Sequence, residues 1–359
     1  MQVEGGHVTW DYWADRAAVE ADVDVELFAI EMVFVPEGPF ALGSGGSSSY
    51  EFRKGGTVNA PFVVSRPGPI SLGDGMGQLS WTRTASSRRQ PAGTTSESFP
   101  TGYAGFYVMK YQVTQGQYVG FLNTLTQAQA PERTHVTTHN RYRVVQDGDA
   151  YRTSLPHVAL NSMSWADGAA FADWAGLRPM TELEFEKVAR GPGTPVADEF
   201  AWRSTRVTRA TGLAHAGSAE EVPVPDGANA SYGARAFGNG IGGPLRVGSF
   251  AAPGRSREPA GAGYYGALDV SGNLWERVVS VEDQSGRAFS GAHGDGELDA
   301  SGQAAVPCWP NQWAVGVGQR GGSWWNIPDG MRVSYRGAAT NVPSGRSWVY
   351  GWRGARSAP

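Results

Sequence analysis

Short apolar stretches separated by turn-forming residues predict a protein built from many small elements. Two apolar stretches flank a Pro-Gly turn between positions 31 and 44, which predicts two strands. The apolar run 106–113 predicts another strand. The Gly/Ser-rich stretch 45–56 and the polar stretch 84–104 predict loops.

Three helix starts can be located from capping boxes, in which a Ser or Thr is followed three residues later by Gln, Asp or Glu. The boxes occupy 114–117, 164–167 and 181–184, and apolar residues recur at helical spacing behind each one. We expect the first two helices to end near 126 and 175. From 191 to 263, Gly, Ala and Pro dominate, which predicts long loops with a few short strands. No repeat or linker divides the chain, so one irregular α+β domain over 1–359 is expected.

Composition supports this picture of many turns. Fifty of the 359 residues are glycine, twice the usual share of roughly 7%, and the absence of a strict repeat excludes collagen. The net charge is −4, without a block of like charge, so we expect no nucleic-acid partner and a monomer. The single cysteine, Cys308, excludes an intramolecular disulfide and a Cys-based zinc cluster.

The ends and the hydropathy of the chain bear on its location. The first residues lack the basic start and the apolar core of a signal peptide. No apolar run is long enough to span a membrane. The expectation from sequence is therefore a cytoplasmic protein with no membrane span.

Few motifs suggest catalysis. His135 and His139 have the i,i+4 spacing of a helical metal pair, but their surroundings are β-branched and polar, so a solvated loop is the alternative. The Gly-rich run 237–243 lacks the Lys-Ser/Thr of a phosphate loop and predicts a turn. Cys308 has no identifiable base, and a small buried thiol is expected there. No G-x-S-x-G elbow is present.

The stretch 268–280, LDVSGNLWERVVS, is the best candidate for a cation site. Asp269 and Glu276 flank a Ser-Gly-Asn turn. Two carboxylates with free carbonyls between them can hold a hard cation such as Ca²⁺. The alternative is a structural turn whose carboxylates bind backbone amides and an arginine.

Several segments together resemble the formylglycine-generating-enzyme (sulfatase-modifying factor) family, a branch of the C-type lectin fold. The likeness covers about residues 31 to 356. It rests on MVFVPEGPFALGS, FYVMKYQVTQGQYVGFLN, the helix pair ending in RPMTELEFEKVARG, VSGNLWE, RGGSW and GWRGAR. The resemblance implies this α+β fold, with short twisted strands and long loops. It also implies a calcium site at Asp269, Gly272, Leu274 and Glu276.

One departure from that family bears on activity. The family's oxidase uses two copper-binding cysteines shortly after Gly-Gly-Ser, and the same offsets give Asn326 and Met331 here. Cys308 lies upstream and cannot replace both. The resemblance therefore implies neither copper nor thiol oxidation.

A closer likeness is to the variable proteins of diversity-generating retroelements, which use the lectin fold to bind ligands. In those proteins the C-terminal residues are rewritten by mutagenic reverse transcription. Residues 320–359 carry six arginines and one acid, Asp329. A regular frame, RGGSW, RVS, the single Arg336 and GWRGAR, alternates with unrelated residue types. The variable region is expected within 320–356, at nine ligand-binding positions: Trp325, Ile327, Tyr335, Gly337, Val342, Ser344, Ser347, Trp348 and Val349.

Three functions are therefore open. The first is a non-enzymatic protein that binds an unknown protein or other macromolecular ligand through a variable C-terminal surface. The second is an enzyme on the same scaffold that uses another cofactor, for example through His135 and His139. The third is a basic C-terminal surface that binds acidic partners.

Overall fold

The computed structural model describes residues 27–48, 50–82, 91–238, 240–339 and 344–359. The chain forms two compact units, 1–30 and 31–359, and every described helix and strand lies in the second. The predicted single domain over 1–359 stays a prediction. Among the described residues, no helix is long and apolar enough to cross a membrane.

The described strands are short, two to five residues each. They are β1 (Met32–Val35), β2 (Phe40–Leu42), β3 (Phe52–Lys54), β4 (Phe62–Val64), β5 (Ser71–Leu72), β6 (Leu79–Trp81), β7 (Gly93–Thr94), β8 (Phe106–Met109), β9 (Val144–Asp147), β10 (Ala150–Thr153), β11 (Arg178–Pro179), β12 (Gly212–Ala214), β13 (Val222–Val224), β14 (Trp275–Val279), β15 (Val317–Arg320), β16 (Tyr350–Gly351) and β17 (Gly354–Ser357).

The described helices are α1 (Gln115–Thr124), α2 (Ala130–Arg133), α3 (Trp165–Trp174), α4 (Glu182–Arg190), α5 (Ala234–Phe237) and α6 (Gln284–Arg287), with a 3₁₀ turn at Pro328–Met331. All three predicted capping boxes form. In each, the cap hydroxyl accepts the N3 amide while the N3 side chain accepts the cap amide. The helix starts predicted from sequence are confirmed because a cap is a local interaction.

Two sheets organise the core. An antiparallel sheet in the order β1-β8-β17-β11 joins the first strand of the unit to the last. A second sheet, β15-β14-β16, pairs β14 antiparallel with β15 and parallel with β16. Apolar side chains of the first sheet, of α4 and of β14 form one cluster that includes Val108, Phe185 and Val278. Of the two C-terminal strands, β17 is thus an inner strand of the first sheet and β16 is an edge strand of the second.

Two details differ from the sequence expectation. The strands predicted between 31 and 44 exist, but β1 pairs with β8 and β2 pairs with β4. Two stretches predicted as loops contain strands: 45–56 contains β3, which pairs with β6, and 84–104 contains β7, which pairs with β5. In both cases the pairing partner lies far along the chain, so local composition does not reveal it.

Candidate functional site

Two arginines of the C-terminal frame, Arg320 and Arg336, lie under the surface against acids of helix α4. Arg320 is fully buried, and its Nη1 donates to Glu182 Oε2 at 3.1 Å. Arg336 is also fully buried and forms a fork with the same carboxylate, through Nε at 2.8 Å and Nη2 at 3.0 Å. Glu186 completes the cluster, pairing with Arg320 and Arg190. The charge-rich helix TELEFEKVAR therefore supplies the counter-charges of the frame.

Electrostatics in this cluster favour the ionised form of the Glu182 carboxylate. Burial raises the pKa of Glu182, but the charge and hydrogen bonds of Arg336 and the charge of Arg320 outweigh it, so the pKa lies below its ordinary value. Ser280 Oγ donates to Glu182 as well, at 2.9 Å. The Arg336 guanidinium also stacks on Phe52, 3.9 Å from the ring centroid.

The basic-surface alternative is wrong for most of these arginines. Arg346 binds both oxygens of Asp167 at 2.8 Å, and Arg332 pairs with Asp198 at 3.2 Å and with Asp329 at 3.2 Å. Arg356 is exposed, and it donates to the carbonyl of Gly176. Apart from Arg356, these arginines are paired with acids, most of which come from distant parts of the chain. The net charge of the last forty residues therefore does not describe the charge of the surface.

The predicted calcium site is filled by protein groups. The Glu276 carboxylate accepts a fork from the fully buried Arg353, through Nε at 2.9 Å and Nη2 at 2.7 Å. The amide of Gln112 donates to the Leu274 carbonyl at 2.9 Å. Asp269 is buried and accepts from the Gly248 amide at 2.7 Å. Burial raises its pKa to about 6.

These residues do not fit a hard cation. At Gly272 the amide donates to the Gly321 carbonyl at 2.7 Å, so this residue ties the turn to the frame. Arg353 also donates to the carbonyls of Leu268 and Met109, at 2.6 and 2.7 Å. The Arg353 guanidinium donates to five oxygen atoms, the two of Glu276 and the carbonyls of Met109, Lys110 and Leu268, and it takes the place that Ca²⁺ requires. Within the described ranges, no group of three or more His, Cys, Asp or Glu could hold a metal ion.

We therefore expect EDTA to leave the melting temperature unchanged, and added CaCl₂ to have no effect either. A bound ion that stabilises the native state would shift the melting temperature by mass action. Differential scanning fluorimetry in the presence of EDTA, CaCl₂ or MgCl₂ makes the comparison, with MgCl₂ as the ionic-strength control. A fall in melting temperature with EDTA that CaCl₂ reverses would show that calcium is bound.

The two positions that correspond to copper cysteines serve the fold. The Asn326 Oδ1 accepts from Trp275 Nε1 at 2.8 Å and from Ser323 Oγ at 2.6 Å. Met331 is fully buried in the main core cluster. Neither side chain can act as a thiolate ligand, so these positions do not fit copper. Cys308 is exposed, which corrects the expectation of a buried thiol, and it lies at a turn with φ +65°.

The histidine pair lies in an extended loop rather than on a helix, as the solvated-loop alternative predicted. His135 and His139 line a cavity of about 670 Å³ together with Val136, Val144 and Tyr151. Burial and the nearby Arg346 lower the pKa of His135. Without helical geometry the i,i+4 spacing does not place the two imidazoles on one face.

Most of the described ligand-binding positions are at least partly exposed. Ile327 and Trp348 are 51% and 48% exposed. Five others are partly buried: Trp325, Tyr335, Gly337, Ser344 and Ser347. Val349 is 9% exposed and packs with Leu274 and Trp324, so it lies beneath the surface and does not face solvent. Val342 lies outside the described residues.

The partly exposed aromatics form a stack over buried tryptophans, and we call this surface the aromatic face (325–327, 335 and 344–348). The ring centroids of Trp325 and Trp348 are 5.9 Å apart, and those of Trp324 and Trp325 are 5.5 Å apart. Tyr335 contacts Trp275 at 6.1 Å. The rings thus continue from solvent into the core.

Loop 344–349 is held from below by a buried cation. The Arg277 Nη2 donates to the Gly345 carbonyl at 2.8 Å, and its guanidinium lies 4.5 Å from the Tyr350 ring centroid. Burial lowers the pKa of Arg277 to about 10. The Trp348 carbonyl accepts from Trp324 Nε1 at 3.3 Å. Backbone and buried groups hold this loop, so its exposed side chains contribute little to its position.

A model of the sulfatase-modifying factor enzyme 1-like domain matches residues 25–358. The chain belongs to this family. The predicted α+β fold of the formylglycine-generating-enzyme type, related to the C-type lectin fold, is therefore confirmed. No curated protein matches the sequence significantly.

Solved structures similar to this family member are distant. PvdO from Pseudomonas aeruginosa is 19% identical, with a TM-score of 0.45, and the match covers 91% of this chain and 94% of PvdO. Treponema denticola variable protein 1 is 16% identical, with a TM-score of 0.38 and coverage of 87% and 100%. The U1 variant of Major Tropism Determinant is 14% identical, with a TM-score of 0.29 and coverage of 87% and 81%.

Membership of the sulfatase-modifying factor family establishes the scaffold and leaves the activity open. The description of the family names an enzyme, and Asn326 and Met331 stand at the two positions where the resemblance places copper-binding cysteines. Activity must be argued from the site, because one fold supports unrelated functions.

Proposed function

We propose that this chain is a non-enzymatic ligand-binding protein whose aromatic face is a variable surface that captures a protein or other macromolecular ligand. The proposal rests on one observation: the exposed side chains of the aromatic face are not the groups that hold its backbone in place. Ile327 and Trp348 project from a frame that is held by buried ion pairs and backbone hydrogen bonds. Changes at such positions leave the frame intact.

The chemistry of the face suits binding. Tryptophan and tyrosine supply a large contact area with few rotatable bonds, so they lose little entropy on binding. The small residues Gly337, Ser344 and Ser347 are partly exposed, and their size leaves room for a partner. A Cβ added at Gly337 would lie 2.1 Å from the Tyr335 Oη, and a side chain there would therefore reorient the tyrosine.

The proposal predicts a sharp contrast in tolerance between face and frame. Randomising Trp325, Ile327, Ser344, Ser347 and Trp348 should leave most variants folded, because exposed substitutions usually change stability by no more than ~0.5 kcal/mol. Randomising the frame residues should unfold most variants. Those residues are Gly321, Gly322, Trp324, Arg353 and Gly354.

The frame glycines give this contrast its physical reason. Gly321 and Gly322 have φ of +89° and +71°, a region that favours glycine. A Cβ at Gly322 would lie 2.7 Å from Met331 Cγ. Yeast display with protease challenge measures the folded fraction of both libraries. Equal loss of folded protein in the two libraries would show that the face belongs to the core, and the proposal would fail.

Genomic context provides an independent test of the diversification step. A reverse-transcriptase gene and a near-copy of the codons for 320–359 should lie beside the gene. If both are absent, the face is a fixed binding surface and not a variable one.

A further inference from the structure

The aromatic face continues onto a segment outside the C-terminal region. The turn 233–238 contains α5. Three consecutive backbone amides of this turn donate hydrogen bonds to backbone carbonyls of residues 324–326. The Gly233 amide donates to the Asn326 carbonyl at 2.7 Å, that of Ala234 to Trp324 at 3.0 Å, and that of Arg235 to Trp325 at 3.1 Å. The turn therefore forms one wall of the face.

This wall presents an aromatic ring and two arginines. Phe237 is 61% exposed, and the Arg209 guanidinium lies 4.9 Å from its ring centroid. Arg209 is held in place by a hydrogen bond to the Gly238 carbonyl at 2.7 Å. Arg235 is exposed. In the described part of the chain, neither Arg209 nor Arg235 forms an ion pair, whereas Arg332 and Arg346 do.

The face has no negative charge of its own. The segments 232–238, 324–327 and 344–349 contain no Asp or Glu. The nearest acid in sequence, Asp329, pairs with Arg332 at 3.2 Å. Two uncompensated cations beside exposed aromatic rings are complementary to a partner that carries carboxylates next to apolar side chains.

We propose that turn 233–238 and Arg209 are a fixed part of the binding surface, and that they select acidic polypeptide segments that contain aromatic residues. This inference rests on the proposed function of the aromatic face and names the chemistry of its partner. The Phe237 ring, backed by Arg209, provides an apolar anchor, and Arg235 meets a carboxylate. A nucleic acid would need a longer row of cations along its phosphates, and this wall offers two.

The test uses defined polymers and matched variants of the full chain. Fluorescently labelled poly(Glu,Tyr) copolymer serves as the probe, with poly-Glu and single-stranded oligo-dT for comparison, and anisotropy is measured at low salt. The test variant is Arg235→Gln/Phe237→Ala. The control is Arg152→Gln/Phe34→Ala, which removes an equally charged, 68% exposed arginine side chain and a 48% exposed ring elsewhere.

The wild-type protein and the control should bind the copolymer more tightly than poly-Glu or oligo-dT. The test variant should weaken that binding by at least about tenfold, the usual effect of losing an anchor residue. Thermal melts establish that both variants are folded.

Three outcomes would overturn the inference. One is no saturable binding of the copolymer by the wild-type protein, and another is tighter binding of oligo-dT. The third is equal affinity of test variant and control. If Trp348→Ala alone weakens binding, the aromatic face binds without the wall, and the proposed function survives the failure of this inference.

Discussion

Replacing Glu182 with alanine is expected to destabilise the protein by about 3–5 kcal/mol, because removing one partner of a buried ion pair leaves uncompensated charge in the core. The Glu182 carboxylate accepts from Arg320, Arg336, Ser280 Oγ and the amide of Val281. Among the described residues, Glu182 is the one acid that pairs with both Arg320 and Arg336. Chemical denaturation followed by tryptophan fluorescence measures the change.

Two further variants keep this test decisive if the alanine variant does not fold. Glu182→Gln retains the shape and loses the charge, so it should fall between the wild type and Glu182→Ala. Glu97→Gln, at an exposed position, should change stability by no more than ~0.5 kcal/mol. A Glu182→Gln variant as stable as the wild type would show that the ion pairs do not support the fold.

The pH dependence of stability follows from the same carboxylate. Its pKa is lowered by folding from an ordinary value of 4.5, so the unfolded state binds the proton more tightly. The contribution of Glu182 is fully present above pH 4.5 and is lost as pH falls through the folded pKa. The melting temperature of Glu182→Gln should therefore depend less on pH in the acid range than that of the wild type.

Trp352→Ala is expected to cost about 3–5 kcal/mol, whereas Trp348→Ala, four residues earlier, should cost no more than about 1 kcal/mol. Trp352 is fully buried, and its ring lies 4.9 Å from that of Trp165. Helix α3 makes room for it with Gly168, where an added Cβ would lie 1.9 Å from the ring. Trp348 is half exposed.

The two tryptophans are matched in chemistry, so the comparison isolates the effect of burial. Thermal melts and denaturant titrations of both variants make the measurement. Comparable costs for the two substitutions would place Trp348 in the core and remove the physical basis of a replaceable binding face. A small cost for both would mean that the core closes over the cavity left by Trp352.

Part of the site could be predicted from the sequence. The frame residues were recognisable from short motifs, and Trp324 and Arg353 are buried as frame residues should be. The sequence predicts an exposed Val349, and this is wrong. In a stretch without regular periodicity, the local sequence does not distinguish a buried side chain from a solvent-exposed one. The wall at 233–238 lies in the stretch 191–263, which predicted long loops with a few short strands, and nothing local indicates helix α5 or what the segment packs against.

The sequence by itself determined the family, the α+β class and the three capped helices. The hydrogen bonds of a capping box form within four consecutive residues, so the residue types at 114–117, 164–167 and 181–184 are enough to predict it. The family motifs are equally local, since each is a short run whose residues act together. The sequence also shows directly that the chain has a single cysteine, Cys308, and therefore no pair of cysteines to bind copper.

Only the tertiary structure decided what the charges do. Six arginines in a stretch with one acid suggest a basic surface, yet Arg320, Arg336 and Arg353 are buried against Glu182, Glu186 and Glu276. The turn at Asp269 suggests a cation site, yet Gln112 and Arg353 occupy its acceptors. Buried charge is stable only beside its counter-charge. Its partner can come from any part of the chain that the fold brings close, and sequence position does not reveal which part that is.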